Sequence, residues 1–233
     1  CSDIHWGLRF IVQMVYGIPD FALLYRHQIV SLLNRYLSDN RPIIRRWVAR
    51  SFGAMAKCKH PEWVGVAVPM VDSLYQLINR EDARRDPECN YATEAAIASI
   101  VNIIKYGGEL IGDGKIGEIL SSFLDWFPIN GMADGVGGSI GIYTFLIDLI
   151  EDNNQTIMGE PNAKCPQLVH ILIQPIHQGI FGRRRKSQTV KRRIINIIKG
   201  MAEDDSFFQW VRRAGLNPDE IVTLQEIVHP AVR

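Results

Sequence analysis

Apolar residues recur along this chain at helical spacing, in segments of near-constant length set apart by regular breakers. Ile97, Ile100, Val101 and Ile104 fall at i, i+3, i+4 and i+7. Ile44, Trp47, Val48 and Met55 keep the same period, as do Val190, Ile194, Ile197 and Ile198. Each set lays one apolar stripe along a helix face. No sustained alternation of period two occurs, so strands are not expected. Turn-forming groups punctuate the pattern at Gly17–Asp20, Ser38–Pro42, Lys59–Glu62, Asp86-Pro87, Gly107-Gly108, Pro128–Gly138 and Gly159–Asn162.

The segments between breakers read as about five antiparallel helix pairs: 3–37, 42–79, 90–125, 136–177 and 187–228. Equivalent apolar positions in the leading helices are Trp47, Ile97, Leu146 and Ile194, spaced 50, 49 and 48 residues apart. A helix-pair unit repeated at this interval is the signature of a solenoid, in which each repeat buries its apolar face against its neighbours. The expected fold is therefore all-α: an α-α superhelix of the HEAT or armadillo-like kind, with residues 1–233 forming one solenoid.

The sharpest repeat signature runs from Leu37 to Ala49. Asp39 stands in a turn, Pro42 suits the first turn of the next helix, and Arg45 and Ala49 follow on it. Asp39 is expected to cap exposed amides at the helix start. Arg45 is expected to reach an acidic turn residue in its own or a neighbouring repeat, and Ala49 to let the paired helix approach closely.

Composition excludes several classes. With 47% apolar and 22% charged residues, the chain can bury a core. The four cysteines (Cys1, Cys58, Cys89 and Cys165) are far apart and suggest neither a zinc site nor a disulfide framework, but reduced thiols of an intracellular protein. The longest uncharged stretch, Cys165–Gly182, holds two prolines, two histidines and three glutamines, and does not read as a membrane span. The apolar pattern is already running by Trp6, with no signal-peptide pattern before it, and the chain reads as a segment of a longer protein. Net charge is +1, yet seven basic residues lie between Arg183 and Arg193, so the rest carries −6.

Three stretches resemble one family. They are Asp39-Asn40 through Ile44-Arg45 to Ala49 and Phe52–Ala56; Asn90–Glu94 through Ile97 and Ile103–Lys105 into Phe123–Pro128; and Leu146–Asn153 continuing to Ile157 and Gly159. In order and spacing these are similar to the C-terminal part of the karyopherin-β nuclear import receptors, closest to the importin beta-3 type. The resemblance covers roughly residues 20–228 and is densest from 39 to 160. The basic run after Gly182 and the glycine-rich segment 131–141 lie outside the family pattern.

The resemblance implies a HEAT solenoid that shuttles between cytoplasm and nucleus through nuclear pores. Implied partners are cargo proteins with basic localisation signals, Phe-Gly nucleoporins, and Ran-GTP, the last bound mainly through N-terminal repeats missing here. It implies no enzymatic activity, no cofactor and no membrane association; nucleic-acid binding through the basic run Arg183–Arg193 is a third reading, which the order of the family stretches does not favour. A HEAT-repeat scaffold subunit of another protein complex is the alternative.

Few residues stand out as candidates for chemistry. Gly137–Gly141 matches G-x-S-x-G, but a nucleophile elbow needs a strand ahead of Ser139, and Pro128–Gly131 is not a β-run. His170 and His177, at i and i+7, are read as packing or surface residues rather than a metal pair. Trp47, Trp126 and Trp210 are read as interhelical core, and Trp63, in the first turn after Pro61, as the tryptophan best placed for exposure and binding. Asp72, Glu109, Glu118 and Asp125, assigned to trailing helices, are candidates for contacting basic cargo. Arg183, Arg184, Arg185 and Lys186 oppose the dipole of the helix they precede, and so are candidates for an anionic partner.

Overall fold

The computed structural model describes residues 2–130 and 138–229. They are helical almost throughout, and no strand occurs among them. The glycine-rich segment 131–137, the start of the expected helix at 136, and Cys1 lie outside the described residues. Two compact units divide the chain: one runs to Ile116, the other comprises residues from Gly117 on, apart from 133–138.

The first unit contains α1 (Ser2–Gly17), α2 (Pro19–Leu23), α3 (Arg26–Tyr36), α4 (Pro42–Lys57), α5 (Pro61–Ala67), a single 3-10 turn at Val68–Met70, α6 (Val71–Ile78) and α7 (Pro87–Ile111). Proline opens α2, α4, α5 and α7. The ring fixes φ near its helical value where no intrahelical amide bond is needed, and forces the preceding residue out of the helical region. Arg41, His60 and Asp86 are accordingly extended.

Leading helices pack on leading helices. The most extensive packing in the unit joins α4 to α7, and the next joins α4 to α1. Because it has neighbours on both sides, α4 is buried on most of its circumference, through Ile44, Val48, Phe52, Met55 and Ala56. The contact with α7 is close: Ser99 Oγ lies 2.7 Å from the carbonyls of both Ala49 and Ala95 and can donate its one proton to either. A Cβ on Gly53 would stand 2.6 Å from Ser99 Oγ, so only glycine fits there. Ala49 and Ser99 are 50 residues apart, the interval that separates Trp47 from Ile97, so the sequence period is realised as direct contact between equivalent turns.

Several boundaries differ from expectation. The trailing segment 62–79 is α5, the 3-10 turn and α6, with Pro69 inside the turn, and segment 21–37 is broken at Leu24-Tyr25. Gly107-Gly108 does not end α7. The helix kinks at Gly107 (φ −132°, ψ 15°) and continues to Ile111. The kink replaces a turn because Gly107 is buried, with Val64 and Val68 methyls about 3 Å from where a Cβ would sit.

The division between the units falls within α8 (Asp113–Phe123). The second unit continues with a 3-10 turn at Leu124–Trp126, α9 (Gly138–Glu151), α10 (Gln155–Met158), α11 (Cys165–His177), α12 (Arg185–Ala202), α13 (Phe207–Arg213) and α14 (Pro218–Val228). The short α10, capped by the Asn154 side chain, lies in what the sequence suggested was loop. α11 packs against α12, α13 and α14. An aromatic chain fills the other end: Phe123 meets Trp126, Phe127 and Phe145 with centroids 5.5–5.6 Å apart, and Tyr143 bridges Phe127 and Phe181.

Candidate protein-binding site

Arg45 organises the turn edge of the first unit. Its side chain is 1% exposed. Nη1 donates to the carbonyls of Asp39 and Asn40, both at 3.0 Å, and Nη2 donates to Asp82 Oδ2 at 3.1 Å. Asp39 and Asn40 belong to the turn before α4, whereas Asp82 stands in the corresponding turn before α7. One guanidinium thus closes its own turn and ties it to the next. Arg80 Nε also donates to Asp82, at 2.8 Å. The two arginines hold the Asp82 carboxyl below the usual carboxylate range, the Arg80 hydrogen bond contributing most.

Asp39 does not cap α4. Its carboxylate accepts from the backbone amide and the guanidinium of Arg41, the residue before the helix, at 2.7–2.9 Å. Pro42 at the first helical position lacks an amide to cap. The hydrogen bonds from Arg41 lower the Asp39 pKa to about 2. α7 is capped as expected for an acidic turn residue, with Asp86 Oδ1 accepting from Cys89 N at 2.9 Å.

The acidic candidates are divided between the two units. Asp72, on α6, is exposed and ion-paired with Lys115 at 2.8 Å. Glu109 sits on the extension of α7 past the kink, and so belongs to a leading helix rather than a trailing one. These two lie in the first unit, Glu118 and Asp125 in the second. Glu118 is exposed on α8, and Asp125, in the 3-10 turn, accepts from Gln167 Nε2 at 3.3 Å.

Arg183, Arg184, Arg185 and Lys186 are all exposed at the start of α12, Arg184 as its N-cap residue. Arg193, the last of the basic run, has a different role. It bonds Asp148 at 2.7 Å and Glu151 at 2.5 Å, tying α12 to α9. Its guanidinium holds the Glu151 carboxyl below the usual range.

Trp63 is not an exposed anchor. It is fully buried, and its Nε1 donates to the Pro19 carbonyl at 3.1 Å, fastening α5 to α2. Trp126 is buried, while Trp47 is only half-buried, with Arg50 4.8 Å from its ring centroid. His170 contacts Gln174 on its own helix and His177 contacts Thr223, so the two serve separate local contacts. Ser139 is the second residue of α9 and is buried. Among the described residues no cluster of three or more His, Cys, Asp or Glu could hold a metal, and no helix is long and apolar enough to cross a membrane.

Two features emerge that the sequence did not single out. Large apolar side chains stand 46–72% exposed at Trp6 and Phe10 on α1, at Phe21 in α2, and at Leu24 and Tyr25 just after it. An open cleft of about 580 Å³ lies between α5 and the kinked end of α7, lined by Lys59, Val64, Lys105, Tyr106, Glu109 and Leu110. Gly107-Gly108 was the available signal for the cleft, but a glycine pair looks the same in sequence whether it turns or kinks. No protein-family model matches the chain.

Proposed function

We propose that this chain is a protein-binding segment of a nuclear transport receptor of the karyopherin-β kind. In this reading it engages cargo proteins bearing basic localisation signals and Phe-Gly nucleoporins, in a cycle where Ran-GTP drives cargo release. The Arg45 link carries the reading: a buried arginine closing its own turn and reaching the acidic turn residue of the next helix pair. That arrangement repeats one helix pair on another, and stacked pairs present extended surfaces suited to other proteins. The order of the Asp39–Ala49, Asn90–Lys105 and Leu146–Gly159 stretches supports the family, and the exposed aromatics of α1 and α2 offer apolar contact area for short Phe-containing peptides.

The test is a titration of the chain with a fluorescent basic localisation-signal peptide, followed by release with Ran-GTP in the full-length receptor. Saturable binding that Ran-GTP reverses is expected. A stoichiometric partner held equally with and without Ran-GTP would replace the transport reading with a scaffold.

A further inference from the structure

α12 divides its basic residues between two jobs. Residues 183–202 contain eight basic side chains and no acidic one. The buried face is Ser187, Val190, Ile194 and Ile198, and Arg193 at its edge is engaged with α9. The outward face is Arg185, Thr189, Arg192, Asn196 and Lys199, all exposed. Among the described residues no carboxylate is within ion-pair distance of Arg185, Arg192 or Lys199. These three cations recur every seventh residue, so they stand in single file about 10.5 Å apart along about 21 Å of helix. Nothing in the packing of α12 requires them: the apolar face and Arg193 already anchor the helix.

We propose that this face of α12 is a docking surface for an acidic helix of a partner protein, with a carboxylate at every seventh position. A second helix lying alongside has the same rise, so its heptad-spaced carboxylates meet Arg185, Arg192 and Lys199 in register. Charge pairs at that spacing select partners between adjacent helices. Thr189 and Asn196 leave room between the cations for the partner's own side chains.

Three features favour this occupant over nucleic acid. Past the exposed cluster Arg183, Arg184, Arg185 and Lys186, the exposed cations of the helix are Arg192 and Lys199 in one line, whereas a phosphate backbone is gripped by a patch. Exposed acids border the line: Glu151 beside Arg193, and Glu203, Asp204 and Asp205 immediately after the helix. A uniform polyanion running past Lys199 would meet those carboxylates, but a helix of about 15 residues, with carboxylates at its first, middle and last positions, ends opposite Lys199. Finally, the line carries no aromatic ring on which a base could stack.

The test uses the 233-residue chain and three probes at matched ionic strength. One is an alanine-rich helical peptide with glutamate at positions 1, 8 and 15. The second has the same composition with its glutamates adjacent, and the third is a short DNA duplex. The heptad peptide should bind about tenfold more tightly than the scrambled one, the sum of three modest exposed pairs. R185E/R192E/K199E should lose that preference and gain it for the lysine counterpart of the heptad peptide. R185Q/R192Q/K199Q, which adds no repulsion, should lose the preference without the gain. Equal binding of the two glutamate peptides, tighter binding of the duplex, or variants that bind as the parent chain does would each overturn the proposal.

Discussion

Arg45 in α4 and Asp82 in the turn before α7 meet at 3.1 Å, the arginine 1% and the aspartate 17% exposed. The pair joins consecutive helix pairs, and Arg45 also holds two carbonyls of its own turn. Arg45→Ala leaves Asp82 and both carbonyls without that donor, and should cost about 3 kcal/mol in urea unfolding. Asp82→Asn keeps an acceptor oxygen and should cost about 1 kcal/mol. Equal effects from the two would deny Arg45 its dual role.

Gly53→Ala places a Cβ 2.6 Å from Ser99 Oγ where α4 packs on α7. Overpacking of this kind should lower stability by about 1–3 kcal/mol. Adding Ser99→Gly, which removes the colliding side chain, should restore part of it, and a double-mutant cycle measures the coupling.

Stability should fall in acid through Asp39. Its folded pKa of about 2 lies below the unfolded value of about 3.9. The contribution is fully present above pH about 4 and is lost as pH falls towards about 2. Arg41→Gln removes the guanidinium hydrogen bonds, the largest cause of the lowered pKa, and keeps the backbone amide bond, so the variant's stability should change less across that window. Urea midpoints measured from pH 5 to 2 check this.

Arg193 should matter less than Arg45. It is 29% exposed, and its partners Asp148 and Glu151 are 39% and 46% exposed, so water screens the pairs. Arg193→Ala should cost about 0.5–1 kcal/mol at low salt, and less in about 1 M salt.

The helices were legible where local chemistry sets them. α4 occupies 42–57 as the sequence suggests, because Pro42 fixes its start and a continuous apolar stripe carries it to Lys57. The reach of Arg45 to an acidic turn residue was legible as a type of contact, but its partner Asp82, 37 residues on, is chosen by how α4 lies on α7. Trp63 could not be placed from sequence. Its position after Pro61 suggests exposure, but it is buried among packed helices, with its Nε1 bonded to the Pro19 carbonyl 44 residues earlier. Gly107-Gly108 reads as a turn, yet becomes a kink because Val64 and Val68 crowd the backbone. The candidate surfaces were legible as charges and not as geometry: pairing by Lys115 and Arg193 depends on neighbouring helices, whereas the single file on α12 follows from helical spacing alone.

The most direct measurement is a titration of the 233-residue chain into a fluorescent Phe-Gly repeat peptide and its Phe→Ser counterpart. The transport reading predicts saturable binding of the first that is lost in the second. Absence of binding, or binding indifferent to the phenylalanines, would contradict it.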